Sequence, residues 1–327
     1  MRAIVIKHYG EPEQLIVEER PTPEPRAGHV VIEVKAFGLN HAEIYFRKGA
    51  WGDVAEISGI ECVGIVKADP DGRFLPGQKA MALVGGMGRT ISGSYAEFTR
   101  VPQTNVVAVK TELLWEELAA IPESYATAWT ALHGNLALNA GQTLVVRGAT
   151  SALGQAAVNI ASHAGAYVIA TTRNPNRVSM LESLGAREVL LESDSLSKVL
   201  RERHPQGIDA VLDIVGNTTA LDSLAMLRRG GRVCLVGFLG GGGPLTLDPV
   251  FQMPSGTHLS VFASALVTGT PEFALSEIPF QAIVDRVADG TYKAKPAKVF
   301  RFEDIQEAHR LMESNRAGGK IVVRLQA

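Results

Sequence analysis

Residues 143–165 read TLVVRGATSALGQAAVNIASHAG. Leu144, Val145 and Val146 form a short apolar run, the pattern of a strand buried on both faces. Gly148-Ala149-Thr150-Ser151-Ala152-Leu153-Gly154 follows as a turn of small residues. From Ala152 onward the apolar positions Leu153, Ala156, Ala157, Ile160 and Ala164 recur three or four apart, which predicts a helix. Strand, small-residue turn and helix are the parts of a dinucleotide-binding βαβ unit. The helix N-terminus offers unpaired N–H groups and a positive dipole end to a pyrophosphate, and small residues let the backbone approach it. In the frame G-x-G-x-x-G the three positions are Ala149, Ser151 and Gly154, so the turn by itself equally fits an ordinary strand–helix junction of an α/β protein.

The surroundings favour the first reading. Downstream, strand patterns at residues 167–172, 188–191, 210–215, 232–238 and 258–263 alternate with helical patterns at 175–184, 196–203 and 219–227. That alternation predicts an α/β fold with a doubly wound parallel sheet. Upstream, residues 3–6, 15–18, 30–37, 64–68, 79–83, 94–100 and 106–109 read as short strands separated by Pro and Gly clusters, as in a distorted sandwich or partial barrel. Residues 113–120 and 127–135 look helical, with Pro122 between them. The tail offers a helix at 277–289, an extended segment at 298–302, a helix at 305–314 and a strand at 320–325. These need a core to bury against, and the first domain supplies one.

A chain of 327 residues suffices for two domains with their own cores. The formal charge of −2 gives no reason to expect a nucleic-acid or acidic-membrane partner. No apolar stretch approaches a membrane span, and MRAIVIKHYG does not follow the plan of a signal peptide. Cys62 and Cys234 are the only cysteines, too few for a disulfide framework or a thiolate-rich metal lobe. The expectation is a cytoplasmic protein.

The second strand of the dinucleotide unit carries the cofactor information. NAD-binding units place an acidic residue near its end to hold the ribose 2′-hydroxyl. Here Val168-Ile-Ala-Thr-Thr172 is followed by Arg173, Asn174 and Arg177, with no Asp or Glu until Glu182. Two guanidiniums and the Thr172 hydroxyl suit a 2′-phosphate, which points to NADPH. The alternative is that both arginines are solvated charges at a helix start.

Taken in order, several motifs resemble the zinc-free quinone oxidoreductases of the medium-chain dehydrogenase/reductase superfamily. They are VIEVKAFGLNHAEIYFRKG (31–49), SGIECVGIV (58–66), PGQKAMAL (76–83), GSYAEF (93–98), IPESYATAWTAL (121–132), VVRGATSALG (145–154), IDAVLDIVG (208–216), GGRVCLVG (230–237) and GGKIVV (318–323). The resemblance covers almost the whole chain. It implies a Rossmann domain, residues 121–263, inserted in a β-rich, GroES-like catalytic domain made of residues 1–120 and 264–327. Where zinc-dependent relatives place a catalytic Cys, this chain has Asn40, and where they have Gly-His-Glu it has Gly59-Ile60-Glu61. His41 and Glu61 remain, too few for a three-ligand catalytic zinc. No metal is expected.

The resemblance further implies NADPH-dependent hydride transfer to a quinone or α,β-unsaturated carbonyl. Negative charge then develops on a carbonyl oxygen and needs hydrogen-bond donors. Asn40 and Tyr45 match family site positions for that task, Tyr45 serving as donor or as a packed aromatic wall. Asn40 and Thr127 would also approach the nicotinamide end of the cofactor. Thr150, Ser151, Ala152 and Leu153 would cradle the pyrophosphate, and Thr172, Arg173 and Arg177 would hold the 2′-phosphate. Val215, Gly216, Gly237 and Phe238 lie at strand ends where ligands bind, and Phe262 and Lys320 would close the far side. A homodimer through the apolar edge segment 258–263 is expected. Competing readings are an enoyl-thioester reductase and a non-catalytic NADPH-binding protein. A short-chain reductase is disfavoured, since no Tyr-x-x-x-Lys pair lies suitably downstream of the turn.

Overall fold

The computed structural model describes residues 1–325. The chain divides into two compact units, Thr127–Ala263 and Met1–Ala126 with Ser264–Ala327. The first boundary falls six residues later than residue 120.

The unit Thr127–Ala263 is built on six parallel strands. Their spatial order is Glu188–Leu191, Tyr167–Thr172, Thr143–Arg147, Ile208–Asp213, Leu227–Leu235 and His258–Val261. Strand order reverses beside Thr143–Arg147, which creates the switch point where open parallel sheets bind ligands. Both faces of this sheet are covered, so its strands read as continuous apolar runs rather than alternating ones. On one side Val145, Ile169, Val211, Val233 and Leu235 pack with Leu200 and Leu224 from the helices Leu196–Arg203 and Ala220–Ala225. The strand expected at 232–238 starts earlier, at Leu227, because an irregular register between Ile208 and Ala210 absorbs the Gly230-Gly231 pair. The preceding helix is correspondingly shorter.

In the other unit the long strand His29–Gly38 organises the sheet. It pairs antiparallel with Glu61–Ala68, Phe98–Pro102 and the tail strand Ile321–Arg324. Lys298–Arg301, Lys79–Leu83 and Val106–Ala108 complete this sheet, and Arg2–Ile6 pairs separately with Leu15–Glu19. One sequence expectation fails here. Residues 94–97 make only an isolated bridge at Ala96, so the strand begins at Phe98. The helices expected on either side of Pro122 are present as Trp115–Leu118 and Pro122–Thr130, the second continuing as a π-helix to Asn135; it begins at Pro122 itself, where the missing N–H is harmless. A short helix, His41–Arg47, lies within the β-rich region and was not read from the sequence. Among the described residues no helix is long and apolar enough to cross a membrane.

The turn after Thr143–Arg147 depends on Gly154. A Cβ there would sit 2.5 Å from Ala149 Cα and 2.6 Å from the Gly148 carbonyl oxygen. Backbone atoms in a packed turn have little room to move, and overpacking of this kind costs about 1–3 kcal/mol. Gly154→Ala should therefore lower the thermal unfolding midpoint by several degrees. Gly134→Ala, with nothing within 4 Å of the new methyl group, should leave it in place.

Candidate active site

In the Rossmann-like unit the small-residue turn is held by its own polar groups. Gly148 takes φ +79°, a conformation that favours glycine. Ser151 is the N-cap of the helix Ala152–His163. Its Oγ accepts from Gly154 N at 3.1 Å and donates to the Gly148 carbonyl at 2.9 Å. The Ser151 hydroxyl therefore fixes the turn rather than reaching outward. The amides of Ala152 and Leu153, the first two of the helix, have no intrahelical acceptor. The Thr150 carbonyl is tied to Gln155 Nε2 at 2.9 Å.

The neighbouring strand end is equally tight. Val215 N and Gly216 N both donate to Asp213 Oδ1, at 3.0 and 2.9 Å. Gly216 has φ +95°, and a Cβ on it would collide with the Gly237 carbonyl. A Cβ on Gly237 would lie 2.7 Å from the Ile214 carbonyl. Phe238 is half-buried beyond it. Phe262 and Thr127 are buried, Phe262 N donating to the Leu235 carbonyl at 2.9 Å. Glycines at these strand ends and a capped helix start leave backbone surface suited to a dinucleotide, and the residues present fit one.

At the end of the second strand Thr172 is buried and accepts from Asn174 N at 3.1 Å. Arg173 is exposed and Arg177 half-exposed, and among the described residues neither guanidinium has an ion-pair or hydrogen-bond partner. Sequence reasoning missed what lies beside them. Glu192 follows the third strand and comes next to the second, its N donating to the Thr172 carbonyl at 2.9 Å and its Oε2 accepting from Thr171 Oγ1 at 2.8 Å. Its charge is met by Arg147, a buried residue at the end of the first strand that also donates to Asp222 Oδ2 at 2.8 Å and Ser223 Oγ at 3.2 Å. A carboxylate thus does stand beside the end of the second strand, but it is ion-paired with a buried guanidinium that it shares with Asp222.

The other unit brings Asn40, Glu43, Glu61 and Lys320 together. Glu61 is fully buried, and its Oε1 accepts from Lys320 Nζ at 2.5 Å and from Asn40 Nδ2 at 2.9 Å. Its Oε2 accepts from Glu123 N at 2.8 Å. Lys320, only 4% exposed, also donates to Asn40 Oδ1 at 2.7 Å. An ammonium only donates, so it fixes which end of the Asn40 amide faces it. Glu43, on the helix His41–Arg47, accepts from Asn40 N at 2.8 Å and Ile60 N at 3.2 Å. Asn-x-x-Glu is a helix-start signal that was present in the sequence and would have located this helix.

This geometry corrects one expectation. The Asn40 amide hydrogens face Glu61 and Glu43, so Asn40 is not poised to donate to a developing oxyanion. Tyr45 differs. It is half-buried, stacks on Trp51 with ring centroids 5.1 Å apart, and its hydroxyl has no hydrogen-bond partner among the described residues. Burial raises its pKa further, which keeps the phenol protonated as a donor. His41 Nε2 lies 3.2 Å from Asn315 Oδ1.

The residues do not fit a zinc ion. Asn40 and Glu61 hold the Lys320 ammonium between them, and Ile60 is a hydrocarbon. Among the described residues no group of three or more His, Cys, Asp and Glu side chains could hold a metal. A separate cavity of about 770 Å³ in the same unit is lined by Phe74, Val106, Ile278 and Phe280, with Arg73 its single titratable group. It contains none of the site residues.

Residues 26–111 match the family described as alcohol dehydrogenase GroES-like domain, and residues 152–278 the family described as zinc-binding dehydrogenase. The quinone oxidoreductase of Homo sapiens is 28% identical over 335 residues, covering 99% of this chain and 98% of its own. The solved structure of an NAD-dependent alcohol dehydrogenase is similar with a TM-score of 0.83, at 29% identity over 100% of both chains. That of mycobacterial Rv1454c complexed with NADPH gives a TM-score of 0.86, at 26% identity over 99% of both. Fold and matches together define a medium-chain dehydrogenase/reductase. The chain belongs to that superfamily of oxidoreductases as a quinone oxidoreductase-like member.

The site makes a pH prediction. Burial pushes the Glu43 carboxyl from 4.5 up to about 8, with the Lys320 charge opposing the rise. Between those values the unfolded chain releases this proton while the folded chain keeps it. The unfolded state then binds fewer protons, so the Glu43 contribution to stability falls as pH rises through that window. Denaturant midpoints measured from pH 5 to 8 should show this decline. Glu43→Gln, which is neutral throughout, should flatten it.

Proposed function

We propose that this protein is an NADPH-dependent reductase of quinones or α,β-unsaturated carbonyls that works without a metal. The observation that carries the cofactor choice is the pair of guanidiniums, Arg173 and Arg177, at the second strand end, which have no partner among the described residues, while the nearby Glu192 is ion-paired with Arg147. A 2′-phosphate would gain charge-assisted hydrogen bonds there and meet no bare carboxylate. When bound, NADPH supplies the hydride from its nicotinamide ring. The Ser151-capped turn, with Thr150, Ala152 and Leu153, binds the pyrophosphate. Thr127, Val215, Gly216, Gly237, Phe238 and Phe262 border the rest of the cofactor. Tyr45 donates a hydrogen bond to the acceptor's carbonyl oxygen as negative charge grows on it. Its stacking on Trp51 provides an aromatic ledge against which a flat acceptor packs.

Steady-state rates with quinones, alkenals and enoyl thioesters, each with NADPH and NADH, test this reading. NADPH should be preferred at least about tenfold in kcat/KM, the effect of roughly 1.4 kcal/mol from one retained phosphate contact. Arg173→Ala should raise KM for NADPH and leave kcat and the NADH constants nearly unchanged, because the 2′-phosphate is remote from the hydride. Equal use of NADH, or equal loss with both cofactors, would rule out the assignment of these arginines. Preference for enoyl thioesters would make the protein an enoyl reductase. Tight NADPH binding with no turnover would favour a non-catalytic role.

We further propose a homodimer formed across the outer strand His258–Val261, on which Val261 is 58% exposed. An unpaired apolar edge invites a second copy across a two-fold axis. Light scattering should give twice the chain mass, and a monomeric mass at working concentration would contradict it.

A further inference from the structure

The cluster around Lys320 joins segments distant in the chain. Glu61 opens the strand Glu61–Ala68, and Lys320 lies 259 residues away, just before Ile321–Arg324. Asn40 caps the helix that carries Glu43 and Tyr45. Glu123, near the start of Pro122–Thr130, donates its N–H to the second oxygen of Glu61. The cage has no spare room, since a Cβ on Gly38 would strike both Lys320 Cε and Glu61 Oε1. A buried carboxylate and a buried ammonium are each expensive alone and persist only as a pair with their remaining hydrogen bonds satisfied. That condition is met here.

We propose that the Lys320 ammonium is a built-in cation that positions the residues around the Tyr45 helix. It holds the Glu61 charge and fixes the orientation of the Asn40 amide, and through the Asn40 N–H, which donates to Glu43, it sets the helix that presents Tyr45. Lys320 is thus a positioning residue acting through Asn40 and Glu61, and the acceptor meets Tyr45. The inference rests on the reductase reading for its kinetic consequence. Its structural consequence, that the cage requires a monovalent organic cation of this length, stands independently.

The test uses the full chain with Lys320→Ala, which leaves space for n-propylammonium to replace the missing arm. With a wild-type acceptor in hand, kcat should fall about tenfold or more and KM for NADPH should change much less, since the nucleotide contacts lie on other residues. n-Propylammonium chloride should restore several-fold of the lost kcat, and tetramethylammonium chloride at the same concentration should not. The unfolding midpoint of the same samples, read without cofactor, separates this idea from the reductase reading. n-Propylammonium should raise the variant's midpoint and not that of wild type, whether or not any acceptor is turned over. A folded Lys320→Ala that keeps wild-type kcat, or whose midpoint and rate ignore n-propylammonium, overturns the proposal. If Lys320→Ala does not fold, Lys320→Met with Glu61→Gln removes both charges together. That double variant should show the same kcat loss, and wild-type kcat in it overturns the proposal.

Discussion

The buried ion pair between Glu61 and Lys320 ties together segments of the β-rich unit that lie far apart in the chain. A fully buried carboxylate at the start of a strand is tolerable only because an ammonium, an amide and a backbone N–H surround it. Asn40, the N-cap residue of His41–Arg47, is one of its partners, and its N–H donates to Glu43 on the helix that carries Tyr45. Glu43, drawn into the same cage, is kept protonated at neutral pH by burial. One charge pair therefore does for this unit what packing alone does less specifically: it selects one arrangement of four chain segments.

The Rossmann-like unit repeats the theme with a different pair. Arg147 at the first strand end is shared between Glu192 after the third strand and Asp222 on a helix. Losing Arg147 would leave both carboxylates without their cation, whereas losing one carboxylate leaves Arg147 the other. The functional effect is local. The ion pair with Arg147 offsets part of the negative charge of Glu192 near Thr172, and Arg173 and Arg177 have no partner among the described residues.

Much of this architecture was legible in the sequence, and the parts that were not share a reason. The parallel sheet follows from alternating apolar runs and helical spacing, which are local signals. The β-rich unit follows from Pro and Gly punctuation. The helix His41–Arg47 escaped notice because seven residues show barely two turns of periodicity, although Asn40 and Glu43 carried a cap signal. The helix expected from residue 127 begins five residues earlier, at Pro122, because proline fits the first turn of a helix. Asn40 was expected to serve substrate because the sequence names the residue and not its partners. Its amide is taken up by Glu61, 21 residues away, and by Lys320, 280 residues away. The Arg147–Glu192 pair, 45 residues apart, was hidden for the same reason.

The central claim is that an internal ammonium, and no metal, organises the chemistry of this chain. The most direct test measures the metal content of the purified protein and its NADPH-consuming rate on the same sample, before and after exhaustive chelation. The account predicts far less than one zinc per chain and an unchanged rate. One zinc per chain, with activity lost on its removal and restored on its return, would contradict it.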